Sequence, residues 1–105
     1  MATYVVLNKL TDQGIRTIKE TLNRVDAARE TAKKFGITMK DVYWTMGSYD
    51  VVTIFEAPDE ASMTAFGLVI GGMGNTRSES LRALTRDEMK NVLSKMANAK
   101  EKAPA

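Results

Sequence analysis

The chain contains no cysteine and no histidine. Without cysteine there is no disulfide, no thiolate nucleophile and no thiolate metal site. Without histidine there is no imidazole base, no Ser-His pair and no imidazole ligand for haem or zinc. The carboxylates of Asp41, Glu56 and Asp59 fall into no ligand spacing, so neither a metal nor a cofactor is expected. Excess charge is scarce as well: 15 Lys and Arg stand against 13 Asp and Glu. Basic residues are interleaved with acidic ones, as Lys33 and Lys34 are with Glu30. A nucleic-acid surface needs a clustered basic footprint, and none is present. No apolar run is long enough to cross a membrane. The opening Met1-Ala2-Thr3-Tyr4 lacks a charged segment followed by an apolar core, so no signal peptide is expected. A cysteine-free chain fits a reducing compartment, and the expected location is the cytoplasm.

What is there suits one domain. The chain has 105 residues, 44% hydrophobic and 27% charged, enough for one modest core. Residues 1–97 read as that domain and 98–105 as a flexible tail. Thr3 to Lys9 reads as a strand, and Thr11-Asp12-Gln13-Gly14 as a turn. Ile15, Ile18, Leu22, Val25, Ala28 and Ala32 then recur at helical spacing. Thr17 and Glu20 have the spacing of a capping box, and Gly36 is a natural stop. Strands are expected at Lys40 to Met46 and Asp50 to Glu56. A second helix follows, N-capped by Asp59, with Met63, Phe66, Val69 and Ile70 on its apolar side. It ends at Gly71-Gly72-Met73-Gly74. Asn75 to Leu84 reads as a fourth, unusually polar strand. Thr85-Arg86-Asp87-Glu88 is a capping box for a last helix carrying Met89, Val92, Leu93 and Met96. The order β-α-β-β-α-β plus a terminal helix predicts an α+β, ferredoxin-like fold with a four-stranded antiparallel sheet.

The hairpin from Val42 to Phe55 has large apolar side chains in both of its alternating sets, Val42 and Trp44 against Tyr43 on one strand, Phe55 against Val52 and Ile54 on the next. A half-buried strand should show one apolar set and one polar set. Both sheet faces therefore want cover. Full burial of one such side chain contributes about 1.5–3 kcal/mol. The expectation is a homo-oligomer, a dimer or a multiple of dimers. The plainer alternative is the last helix folding across the sheet.

Thr45-Met46-Gly47-Ser48-Tyr49-Asp50-Val51-Val52, followed by Glu56-Ala57-Pro58-Asp59, resembles the GYD-domain family. Tyr4-Val5-Val6-Leu7 and Leu10-Thr11-Asp12-Gln13-Gly14 fit it as well. The resemblance spans roughly residues 3 to 97. It implies a dimeric α/β barrel, two ferredoxin-like subunits with sheets packed face to face. That superfamily includes cofactor-independent monooxygenases, haem-degrading enzymes, stress-responsive proteins and ligand-sensing domains, so the fold alone does not fix an activity.

The candidate ligand-binding residues are Asn8, Tyr43, Tyr49 and Asp50. Tyr49 and Asp50 sit at the hairpin turn, where Asp also bonds backbone N–H groups and Gly47 supplies an unusual backbone angle. Asn8, Tyr43, Trp44 and Thr45 are polar or amphipathic groups on strands and suit either packing or a pocket. Arg24 could bind a carboxylate, but a solvated arginine is the preferred reading; Arg82 is read the same way. Gly71 to Gly74 matches no phosphate-binding fingerprint. The leading functional expectation is an oligomeric protein that binds a small, partly apolar molecule. The rivals are a cofactor-independent oxygenase or isomerase and a purely structural assembly module. Neither nucleic acid nor membrane is an expected partner.

Overall fold

The computed structural model describes the backbone of residues 1–102 and the side chains of residues 1–99. Its elements are β1 (Ala2–Leu10), α1 (Asp12–Arg16), a 3-10 turn (Ile18–Glu20), α2 (Thr21–Lys34), β2 (Thr38–Trp44), β3 (Val51–Ala57), α3 (Glu60–Gly72), β4 (Thr76–Ala83) and α4 (Arg86–Lys102). The strands form one antiparallel sheet in the order β2-β3-β1-β4. This is the ferredoxin-like arrangement that the element order predicts, with the polar β4 in place as an edge strand. Polar and charged residues suit such an edge, because its outer backbone groups must stay wet.

Strand alternation divides the sheet. One set, Tyr4 and Val6 of β1 with Phe55 of β3, is buried against Met63 and Phe66 of α3 and Ala32 of α2. Phe55 and Phe66 meet edge to face at 5.2 Å, a favoured aromatic geometry. The opposite set holds Val5, Leu7, Val52 and Ile54, all half-buried, with Tyr43 at 58% and Leu81 at 43% exposure. Among the described residues no helix packs across this second face. In particular α4 does not, which removes the plainer alternative. It makes no extensive contact with the sheet or with another helix. The molecule is 60 Å long with a radius of gyration of 17.2 Å, against about 13 Å for a compact chain of this length.

The end signals explain most boundaries. Gly36, at φ 72°, closes α2: its N–H donates to the Lys33 carbonyl, and the Ile37 N–H donates to that of Ala32. This double bond at a left-handed glycine is the Schellman stop, and it buries Ile37. Asp59 caps α3 by accepting from the Ser62 N–H at 2.7 Å. Thr85 and Glu88 exchange both bonds of a capping box at the start of α4.

Three local expectations change. Thr11 to Gly14 is not a free turn but the start of α1, with the Thr11 hydroxyl accepting from the Gly14 N–H. The Thr17–Glu20 capping box does not form, because the Thr17 hydroxyl donates back to the Gln13 carbonyl. The helical register therefore breaks into α1, a 3-10 turn and α2, and Ile15, Ile18 and Leu22 are left exposed. Helix α4 continues past Ala97 to Lys102. Of the expected tail, residues 103–105 lie outside the described residues.

Candidate functional site

Between the helix-covered sheet face and helices α2 and α3 lies a cavity of about 160 Å³. Its walls follow from alternation and helical spacing. Val6, Val51 and Phe55 rise from β1 and β3, while Val25 and Ala28 face them from α2. Met63, Phe66 and Ile70 close the α3 side at steps of three and four. Polar groups line it as well: Asn8, Thr53, Ser78 and Ser80 from the sheet, Asn75 from the α3–β4 loop, and Thr21 and Arg24 from α2.

Asn8 links three strands. Its amide donates to the Val51 carbonyl at 3.3 Å, and its side-chain oxygen accepts from the Ser78 hydroxyl at 2.6 Å. Arg24 reaches back across the chain: Nη2 donates to the carbonyls of Thr17 and, at 3.4 Å, Gly14. Its Nε and Nη1 are shielded from solvent and have no partner among the described residues. Arg24 is the one charged residue lining the cavity among the described residues.

The four residues expected to bind ligand are not gathered in one place. Asn8 lines the cavity. Asp50 sits beside it as a backbone fastener, its carboxylate accepting from the Leu10 N–H at 2.8 Å and its own N–H donating to the Asn8 carbonyl. Tyr49 turns towards the other sheet face, where its hydroxyl donates to Glu79 at 2.7 Å and Lys9 lies 5.5 Å from its ring centre. The hydrogen bond to Glu79, then that carboxylate's charge, raises the Tyr49 pKa above its ordinary value. Tyr43 lies on the second face opposite Val52, so the sheet separates it from the cavity. Trp44 is on the cavity side, and its indole N–H donates to the Thr21 hydroxyl at 3.0 Å.

Arg24 corrects the solvated reading, since it is half-buried at the cavity. The signal was present in the spacing: Arg24 precedes Ala28 by four residues, and Ala28 belongs to the inward stripe. The polar row of β4 gave no such signal, because a strand's partner register is not written in its own residues.

An antiparallel four-stranded sheet backed by two helices over a partly apolar cavity defines a ferredoxin-like α+β domain. The chain belongs to the GYD-domain family, whose pattern matches residues 4–93. A relative from Thermus thermophilus, named glutamine synthetase and cystathionine beta-lyase binding protein, is 31% identical over 85 residues, covering 80% of this chain and 90% of its own. A solved structure from the same organism superposes with a TM-score of 0.53 at 24% identity, covering 81% of this chain and 95% of the other. A hypothetical protein from Pyrococcus horikoshii gives a TM-score of 0.55 at 19% identity, with 82% and 93% covered. At such identities these two structures speak to the fold alone.

Proposed function

We propose that the protein is a self-associating binding protein that holds a small, partly apolar molecule in the cavity between the sheet and helices α2 and α3. The observation that carries this reading is the cavity itself: about 160 Å³, walled mostly by apolar side chains, with a few polar groups among them. That is the usual make-up of a small-molecule site. Asn8 is the sequence-derived candidate retained in its lining. Asp50 fastens the backbone next to Asn8, while Tyr49 and Tyr43 belong to the second sheet face. Arg24 is the lining's one charged side chain and no carboxylate is among the described lining residues. No observation at the cavity therefore favours the oxygenase or isomerase reading over binding.

Self-association is the second part of the proposal. The second sheet face has an apolar centre, Val5, Leu7, Val52 and Ile54, that no helix covers among the described residues, and a copy of the same face in a two-fold arrangement would cover it, giving a dimer or a multiple of dimers. The reading places the protein in the cytoplasm, as a cysteine-free chain allows. Native mass spectrometry of the full chain tests both parts together. An even-numbered oligomer that gains mass on incubation with a library of small apolar compounds supports them. A monomer overturns the association, and failure of every compound to bind overturns the cavity reading.

A second function is favoured by one element. Met89, Leu93 and Met96 line one stripe of α4 and are 42%, 52% and 55% exposed. An amphipathic helix with no partner is a common docking element. The Thermus relative is named for binding two other proteins, which supports a similar role for α4 here.

A further inference from the structure

We propose that the cavity's ligand is a small carboxylate whose apolar body is about the size of a phenyl ring, and that Arg24 binds its carboxylate group. This deepens the cavity-binding reading and rests on it.

The size argument comes first. A cavity of about 160 Å³ is close to the ~150 Å³ of engineered apolar cavities that take benzene. Most of its lining is apolar, Val6, Phe55, Met63 and Phe66 among it, with the hydroxyls of Thr53 and Ser80 as isolated polar groups in the sheet wall. A ligand with polar groups all round would strand them there, at a cost for each unmet hydrogen bond.

The charge argument is independent of size. Among the described residues Arg24 is the only charged one lining the cavity, and no salt bridge to it exists. Two of its nitrogens are shielded from water without a hydrogen-bond partner. A cation in that condition carries an uncompensated desolvation cost. A carboxylate in the cavity, met by a shift of the Arg24 side chain, removes that cost and gains charge-assisted bonds, and the planar guanidinium fork matches carboxylate geometry. Asn8 is already committed to both Val51 and Ser78, and the Asn75 side-chain oxygen accepts from the Gln13 amide at 2.9 Å. Arg24 is the charged residue of the lining with unmet donors, and it selects an anion.

The test uses the full chain and three probes of matched shape: phenylacetate, phenylacetamide and toluene. Calorimetric titration gives affinities, and nitrogen-15 NMR follows the Arg24 Nε–H resonance in unmodified protein. The expected result is saturable phenylacetate binding with a shift of that resonance, and binding of the two neutral probes weaker by roughly ten- to a hundredfold, the scale of a charged hydrogen bond. Arg24→Met should lose this preference, and Arg24→Lys should restore part of it. Because Arg24 also ties down Thr17 and Gly14, either variant could lose structure. The resonance shift in unmodified protein then decides the matter. Equal affinity for all three probes, or phenylacetate binding that leaves Arg24 Nε–H unmoved, overturns the carboxylate inference and leaves the cavity reading standing. Binding of none of the three overturns both.

Discussion

Glu88 closes the first turn of α4 from two sides. Its carboxylate accepts from Arg82 at 2.5 Å and from the Thr85 N–H at 3.0 Å. These bonds, that to Arg82 first, hold its pKa down to about 2, against an ordinary 4.5. The unfolded chain takes up this proton first as pH falls. The stabilisation is therefore complete above about pH 4.5 and is lost as the pH drops towards about 2. Thermal unfolding followed across that window should show a pH dependence that Glu88→Gln reduces, by a small amount because the pair is open to solvent. Gly14 sets a harder constraint. A Cβ there would overlap the Asn75 carbonyl oxygen, which also accepts from the Thr11 N–H at 3.0 Å. Backbone cannot yield as a side-chain tip can, so Gly14→Ala should lower stability by about 1–3 kcal/mol in denaturant titration. Gly14 was legible as part of a turn, but its closeness to Asn75, 61 positions along the chain, was not.

At the scale of elements, the strands, α3 and the two caps at Asp59 and Thr85 were legible because each rests on neighbours within a few residues. Asp59 takes its bond from Ser62, three residues on, and that bond lowers its pKa. Asp59→Ala should lower the melting temperature by a few degrees in a circular-dichroism melt, with the fold retained. The first helix was misread in part, since Ile15, Ile18 and Leu22 fit the helical period yet lie exposed. There the competing bonds of Thr11 and Thr17 broke the register, and spacing does not record which hydroxyl wins. Helix α4 shows the converse, an apolar stripe that stays largely exposed among the described residues. If α4 docks a protein as proposed, placing a charge in that stripe, Leu93→Glu, should abolish capture of that partner in a pull-down. Phenylacetate affinity at the cavity should be unchanged. Loss of both in a calorimetric titration would show that α4 supports the cavity instead.

For the whole molecule, the uncovered sheet face is the feature with the largest consequence. Covering the remaining exposed area of Val5, Leu7, Val52 and Ile54 would contribute on the order of 5 kcal/mol per subunit, taking half of the full-burial value for each, before the cost of association. Ile54→Lys puts a charge at the centre of that face and should shift sedimentation from dimer to monomer while leaving the helix-covered core intact. Unchanged sedimentation would place the subunit contact elsewhere, with α4 the remaining apolar surface. The amino-acid sequence by itself determined the strands and helices, their order, the caps and the presence of two apolar faces, because these depend on residue type and on spacing within about one element. Tertiary structure alone decided that Asn8 reaches the cavity while Tyr43 lies behind the sheet, that Asp50 fastens backbone, and that Arg24 stands at the cavity with donors unmet. Those outcomes depend on strand register and helix docking. Each brings together residues tens of positions apart, and no local pattern encodes such a meeting.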